Sequence, residues 1–194
     1  MLHFWTDLEK RLETLKDFDK KNNIKECEKI CDKLLSKYRK HPDYLAKIAS
    51  FLMDMDRPGK SIMFFDELIE LDPKLPYNYS LKADALIKLG ENEKAFQYYD
   101  YAIKLQPHNE LVILAKANAL YAIGLYEEAI SYSDLVLKHN PTNTPALSQK
   151  ATSLTKLGID DEALEIAKKI LKIVPNSSIM KELEKIISNR TIEN

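Results

Sequence analysis

The chain repeats itself at an interval of 34 residues, and this interval constrains its fold more than any other feature. Proline recurs at this interval near the end of four segments, and glycine recurs in the middle of three of them. The two series are Pro73, Pro107, Pro141 and Pro175, and Gly90, Gly124 and Gly158. Self-similarity at a fixed period of about 20 to 50 residues is typical of stacked-repeat proteins, whose units bury their apolar faces against their neighbours. The period therefore predicts an array of like units.

Small residues recur in the same register. The two series are Ala49, Ala83, Ala117 and Ala151, and Cys27, Ser61, Ala95, Ala129 and Ala163. Two helices can approach closely only where no large side chain separates them, because the distance between helix axes depends on the side chains at the contact. We therefore expect each series to mark a point where helices cross within the array.

Each copy has the pattern of two helices. Apolar residues recur at three- and four-residue steps on both sides of the central turn, which is the spacing of one helical face. The predicted fold class is all-α, an α-α superhelix of stacked antiparallel helix pairs that forms a single solenoid from 1 to 194. The first copy is degenerate, because it lacks the terminal proline, and a last helix is expected to cap the open end. The five copies span 8–41, 42–75, 76–109, 110–143 and 144–177, and the capping helix spans 178–190.

Charge and hydropathy exclude several classes of partner. Of the 194 residues, 45% are hydrophobic and 30% charged, which is the balance of a folded protein. A formal net charge of -1 provides no basic surface of the kind that nucleic acid requires. The N-terminal stretch becomes charged before an apolar signal segment forms, and no apolar run approaches the roughly 18 residues of a membrane span. We expect no nucleic-acid or membrane partner, and a cytoplasmic setting.

The period and its residues resemble the tetratricopeptide repeat family. The family's 34-residue unit carries large, small, large, small, aromatic and proline positions in a fixed order. In the third copy these are Tyr79, Ala83, Leu86, Ala95, Tyr99 and Pro107. The resemblance covers 42–177 well and 8–41 loosely. It implies a right-handed solenoid in which the first helix of each pair lines a concave groove, and a non-enzymatic scaffold that binds another protein or peptide there.

The resemblance also predicts which residues line that groove. They recur at three- and four-residue steps on the first helices of three copies, so each set lies on one helical face. The candidate groove residues are Tyr77, Ser80, Asp84 and Ile87; Leu111, Leu114, Asn118 and Tyr121; and Ser148 and Thr152. Several of them are apolar or aromatic, and a contiguous exposed apolar patch is typical of an interaction site. The alternative is that these surfaces, or the end of the chain near Trp5, join copies of the chain into a homo-oligomer.

The predicted groove contains no Lys or Arg. Family members that bind chaperone peptides hold a terminal carboxylate with Lys, Asn and Arg side chains on successive first helices. The matching positions here are Ser80, Asp84, Ala115, Pro145 and Gln149. The sequence therefore predicts a groove without a carboxylate clamp.

Charged residues on the helices form two further series with the same period. The acidic series is Asp32, Asp66, Asp100 and Asp134, and the basic series is Lys82, Lys116 and Lys150. Lys104 and Lys138 follow two of the aspartates by four residues, which is the spacing of local ion pairs on a helix. We interpret the aspartates as a solvated face and the lysines of the basic series as long stems that cover apolar neighbours.

No motif for catalysis, a cofactor or a metal stands out. Cys27 and Cys31 lie one helical turn apart, but there is no second cysteine pair to complete a zinc site, and both occupy core positions. The four histidines are too scattered in sequence to form a ligand set. The Gly59-Lys60-Ser61 stretch lacks the glycine that a phosphate-binding loop would need five residues before Gly59. We therefore predict no catalytic, cofactor or metal site, and inert packing for both cysteines.

Overall fold

In the computed structural model, the backbone is described for residues 2–193 and the side chains for 6–178 and 180–188. Within that part of the chain there are eleven helices and no strand, which confirms the predicted all-α class. The helices are α1 (Leu2–Lys20), α2 (Ile24–Tyr38), α3 (Pro42–Asp54), α4 (Pro58–Leu71), α5 (Pro76–Lys88), α6 (Asn92–Leu105), α7 (Glu110–Ala122), α8 (Tyr126–His139), α9 (Thr144–Leu157), α10 (Asp160–Ile173) and α11 (Ser178–Glu193).

The chain divides into two compact units. The first is Met1–Leu105, with α1 to α6, and the second is Gln106–Asn194, with α7 to α11. Within each unit, successive helices pack on one another as antiparallel neighbours joined by short turns. That the whole chain forms one solenoid stays a prediction.

The turn inside each helix pair has the same backbone geometry in all five copies. Gly90, Gly124 and Gly158 have φ of 76°, 87° and 77°, in the left-handed region that glycine enters without strain. In the first two copies the same register is occupied by Asn22 and Asp56, with φ of 52° and 57°. After each of these residues an N–H bonds back to the carbonyl five residues earlier, as Glu91 does to Leu86 at 3.0 Å. The helix ends are therefore fixed by one repeated hydrogen bond rather than by glycine alone.

Each unit buries its own apolar core. In the first unit the largest fully buried side chains include Phe64, Phe65 and Tyr99, and in the second unit they include Ile170 and Met180. The small residues of both predicted series are all buried, from Ala49 to Ala151 and from Cys27 to Ala163. Their burial agrees with the expectation that helices cross at these points.

Two aspartates of the acidic series pair with lysines of the basic series and still stay in contact with solvent, as the prediction of a solvated face has it, since the side chains of Asp66 and Asp134 are each 48% exposed. The Lys82 ammonium donates to Asp66 at 2.6 Å and lies 4.3 Å from the centre of the Tyr98 ring. In the second unit Lys150 donates to Asp134 at 3.0 Å and lies 3.1 Å from Glu162. Each lysine thus bridges the second helix of one copy to the helix pair of the next, because the two series are offset by 16 residues.

Asp7 is the acceptor of the ion-pair network between α1 and α2. We expect this network to make the free energy of unfolding fall as the pH is lowered into the acid range. The Asp7 carboxylate accepts from Lys37 at 2.6 Å and from Arg11 at 2.9 Å, and these bonds lower its pKa from 3.8 to about 2. A lowered folded pKa stabilises the fold above the unfolded value, and this contribution is lost as pH falls from 3.8 towards 2. In thermal unfolding, Asp7→Asn should therefore lie below the parent at neutral pH and converge with it in strong acid.

Lys37→Gln provides the matched control for the Asp7 prediction. It removes the hydrogen bond that lowers the Asp7 pKa most. Its melting temperature should therefore also approach that of the parent in strong acid, but from a smaller difference at neutral pH. A melting-temperature difference between parent and Asp7→Asn that stays constant across the acid range would contradict the assignment.

Candidate functional site

The second unit contains a surface depression of about 320 Å³ to which α7, α9 and α11 contribute. We call these three the first-position helices, because α7 and α9 are the first helices of their copies and α11 follows them in the same alternation. The depression is lined by Tyr121 from α7, by Thr152, Thr155 and Lys156 from α9, and by Glu182, Leu183 and Ile186 from α11. Tyr121 and Thr152 are predicted groove residues, so the structure brings two of the ten candidates together here. The depression has an apolar floor and one charged residue of each sign.

Helix α9 directs its wall residues outward because its opposite face is buried. Leu147, Ala151 and Leu154 lie in the core of the second unit. The hydroxyl of Thr152 donates to the Ser148 carbonyl at 3.0 Å, and that of Thr155 donates to the Ala151 carbonyl at 2.9 Å. A hydroxyl that donates to its own helix retains acceptor capacity only. Neither hydroxyl is therefore a donor to a ligand.

Helix α11 has a second role besides that of the predicted cap. Its Met180, Leu183 and Ile187 pack into the core of the second unit, as a capping helix should. Ile186 stays 42% exposed beside the depression, and Leu183 contributes to its floor. Ile179, which the sequence pattern also places on the apolar face, lies outside the described side chains. The last helix therefore acts as a further first-position helix, which the sequence analysis did not anticipate.

The charge of this surface differs from that of the predicted groove positions. The predicted groove positions contain no Lys or Arg, whereas this depression has Lys156 at its edge and Glu182 from α11 in its lining. Lys156 follows Thr152 by four residues, so it shares the same helical face. The candidate groove residues of this helix end at Thr152, one helical turn before the lysine.

The other predicted residues of the second unit differ widely in exposure. Leu111 is 71% exposed, Asn118 is exposed, and Ser148 is partly buried. Leu114 is only 8% exposed, so the prediction that its side chain is available to a partner is wrong. Tyr121 is partly buried, and its ring lies 5.4 Å from that of Tyr126, a contact that restricts where the tyrosine can point.

In the first unit the four predicted residues divide in the same way. Tyr77 is 50% exposed and Ile87 is partly buried, so both reach the surface. Ser80 is buried, and its hydroxyl donates to the Tyr77 carbonyl at 2.9 Å. Asp84 is partly buried and accepts a hydrogen bond from the Tyr99 hydroxyl. Ser80 is therefore a structural residue of α5, contrary to its prediction as a partner contact, and the place of Asp84 in the groove stays a prediction.

Burial raises the pKa of both members of the Asp84–Tyr99 pair. The Asp84 pKa lies above its usual 3.8 because desolvation disfavours the carboxylate, although the bond from Tyr99 opposes the shift. The Tyr99 pKa is raised by desolvation and by the adjacent Asp84. A polar pair of this kind costs stability unless both groups are satisfied, and here each satisfies the other.

The structure brings together two histidines that the sequence analysis judged to be scattered. His108 and His139 lie with ring centres 4.7 Å apart in an edge-to-face contact. Two imidazoles alone do not make a metal site, because a bound zinc ion generally has three or four protein ligands. Across the described side chains, no group of three or more His, Cys, Asp or Glu residues could hold a metal ion. No helix in the same part of the chain is long and apolar enough to cross a membrane.

The repeated helix pairs, the shared turn geometry and the surface between first-position helices define a class of helical-repeat protein. Two family models, each described as Tetratricopeptide repeat, match residues 42–75 and 80–144, together just over half of the chain. The chain belongs to the tetratricopeptide repeat family. Members of this family are generally protein–protein interaction scaffolds. No curated protein sequence matches the chain.

Solved structures share the fold at low sequence identity. A thermophilic tetratricopeptide repeat protein, TTC0263 of Thermus thermophilus, superposes with a TM-score of 0.68 at 15% identity, over 93% of this chain and 98% of its own. YrrB, described as having an unusual peptide-binding site, gives 0.61 at 15% identity, over 90% of each chain. The first repeat domain of Spaghetti (RPAP3), bound to the HSP90 peptide SRMEEVD, gives 0.56 at 21% identity, over 62% of this chain and 96% of its own. These similarities establish the fold.

Proposed function

We propose that the depression of the second unit is where the scaffold binds another protein, and that it takes an apolar side chain from an extended or helical segment. The observation that carries the proposal is the convergence of α7, α9 and α11 on one surface with an apolar floor and an exposed isoleucine, Ile186. Exposed apolar surface rimmed by polar groups is typical of interaction sites. The family's general role as an interaction scaffold supports the same conclusion.

The depression by itself provides an anchor point and not a whole interface. Full burial of one leucine-sized side chain contributes about 1.5 to 3 kcal/mol. A micromolar complex needs about 8 kcal/mol after the costs of association are met. The partner must therefore also contact neighbouring exposed groups, and Leu111 and Asn118 on α7 are the candidates within this unit.

We further propose that recognition does not depend on a terminal carboxylate. Of two positions where the chaperone-binding members carry clamp residues, Ser80 is buried, and Asp84 is an acidic side chain that accepts a hydrogen bond from Tyr99. In the second unit Lys156 has Glu182 beside the same depression, so the site presents no net positive charge. A carboxylate needs paired cationic donors to be held strongly. Internal peptide segments should therefore bind as well as C-terminal ones.

The test is selection of binders from a phage-displayed random dodecapeptide library on the full chain, followed by titration of the synthetic peptides. We expect Ile186→Glu to weaken the selected peptides by about tenfold or more, because a charge would be buried at the contact. Leu135→Glu is the matched control, since Leu135 is 48% exposed on α8 and does not line the depression. Amidation of the peptide C-terminus should leave the affinity unchanged.

Peptides that bind the parent and the Ile186→Glu variant equally would overturn the proposal. Self-assembly into a homo-oligomer is the competing hypothesis for the same surface. It requires a molar mass by light scattering that rises with concentration in the parent and not in Ile186→Glu. The absence of a nucleic-acid partner and the cytoplasmic setting stay predictions.

A further inference from the structure

A cavity of about 220 Å³ lies in the first unit, where the turn between α1 and α2 meets the turn between α3 and α4. Its floor consists of Leu15, Cys27, Cys31 and Leu52, all of which belong to the core of the first unit. Arg57 and Lys60 line it from the start of α4, and Asp19 lines it from the end of α1. It lies on different helices from the proposed protein-binding depression.

A small residue lies beside the cavity at a repeat position that varies in size. Cys31 occupies the position that carries the buried aromatic residues Phe65 and Tyr99 in the second and third copies, and the small residues Ser133 and Ala167 in the fourth and fifth. Cys31 fills less volume than the rings of Phe65 and Tyr99, and in this first copy a cavity lies beside it. The cavity therefore has the volume and the apolar floor to hold an apolar group of a ligand.

The floor is apolar and chemically quiet. Burial raises the pKa of the Cys27 thiol and raises that of Cys31 to about 11, although the nearby Lys60 acts in the opposite direction. Both thiols stay protonated near neutral pH and behave as small hydrophobic groups. An engineered apolar cavity of about 150 Å³ is known to take up benzene, so the larger volume here admits a ring with a short chain.

The rim of the cavity carries two cationic side chains, each paired with a carboxylate. Arg57 and Lys60 contribute two cations and Asp19 one anion. The Arg57 Nε donates to Asp19 at 2.6 Å, and the Lys60 ammonium donates to Glu28 at 2.9 Å. A guanidinium has five N–H donors and an ammonium three, so these bonds leave donors on both side chains for another acceptor. Each cation is therefore paired with one carboxylate, and the remaining N–H donors favour a ligand that brings a strong hydrogen-bond acceptor such as a carboxylate.

We propose that this cavity is a binding site for a small amphiphilic monocarboxylate. The apolar body, an aromatic ring or a short alkyl chain, fills the space above Cys27 and Cys31. The carboxylate meets Arg57 and Lys60 at the rim, where charge-assisted hydrogen bonds are the strong ones. The ligand is bound without a covalent step.

The probe for the test is 3-phenylpropanoate, with 3-phenylpropan-1-ol as its uncharged counterpart. The chain has two cysteines and both line the cavity, so a ligand there should slow further the already slow labelling of these buried, protonated thiols by a disulfide reagent. We expect calorimetry to give saturable 1:1 binding of the carboxylate. At a concentration about ten times the measured Kd, labelling should slow about tenfold. The alcohol should bind more weakly.

Variants of the lining separate the two parts of the site. Cys31→Phe should abolish binding by filling the cavity, and a cooperative melt at or above that of the parent shows that this variant is folded. Lys60→Gln should weaken the carboxylate about fivefold or more and leave the alcohol unchanged. Lys29→Gln is its control, because Lys29 is exposed on α2 and does not line the cavity.

Two results would overturn the proposal. One is the absence of saturable binding by the full chain together with unprotected thiols. The other is an affinity for both probes that Lys60→Gln does not change, together with a rate of thiol labelling that neither probe changes. Ile186→Glu in the second unit should leave carboxylate binding unchanged, so a loss there would assign the probe to the depression instead of the cavity and would also count against this site.

Discussion

Phe65→Ala is expected to lower the free energy of unfolding of the first unit by about 3 to 5 kcal/mol. Phe65 is 2% exposed and belongs to the core cluster formed by α1 to α5. Truncation removes the transfer free energy of the ring and leaves a void that close-packed helices refill only in part. A loss of this size is a large fraction of the stability of a typical domain. Urea unfolding followed by circular dichroism measures it, and hydrogen exchange of residues 1–105 locates it.

Cys31→Ala is the matched control, because Cys31 occupies the same repeat position and is 1% exposed. It removes one sulfur atom from a site that already adjoins a cavity, so we expect a loss of about 1 kcal/mol. Equal losses for the two substitutions would mean that the register does not place an aromatic ring at the centre of the first unit's packing.

The register of 34 residues is what made the fold predictable. Each copy repeats the same local signals, so a weak preference at Gly90 is reinforced by those at Gly124 and Gly158. Asn22 and Asp56, in the same register, show that the turn geometry persists without glycine. Local propensity and global packing therefore agree, and this consistency is what specifies one structure. The class, the helix pairs and the small crossing residues all follow from it.

Side-chain partners were harder to predict, because they depend on contacts between copies. Lys82 and Asp66 belong to series that the sequence shows separately, and their pairing appears only when the 16-residue offset between the series is applied to adjacent helices. Leu114 and Ser80 lie on the predicted groove face, but helical spacing alone does not tell an exposed flank from a buried one. Ile186 was missed for the opposite reason, since a capping helix was not expected to line a site.

The cavity beside Cys31 could not be predicted from the sequence. The pattern correctly assigns Cys27 and Cys31 to the core. It does not show that a cysteine at this position leaves space, because volume is a property of all the surrounding side chains together. The repeat position gave no signal by itself, because it carries Phe65 and Tyr99 in two copies and the small Ser133 and Ala167 in two others.

The second large effect is expected at the Asp84–Tyr99 pair, where Tyr99→Phe should cost about 1 to 3 kcal/mol near pH 7. The substitution keeps the ring and removes the hydroxyl that donates to the Asp84 carboxylate. A buried charge that loses its donor bears its full desolvation cost. Asp84→Asn in the Tyr99→Phe background should recover much of the loss, because it removes the charge.

The dependence on pH distinguishes this explanation from simple loss of packing. Desolvation raises the folded Asp84 pKa above its unfolded value of 3.8, so the carboxylate destabilises the fold at high pH, and this cost disappears as pH falls through the folded pKa towards 3.8. Loss of the Tyr99 bond raises that pKa further, because this bond lowers it in the parent. The deficit of Tyr99→Phe in urea unfolding should therefore shrink from near pH 7 to near pH 4. A deficit of the same size at both pH values would mean that the ring hydroxyl contributes through packing and not through the carboxylate.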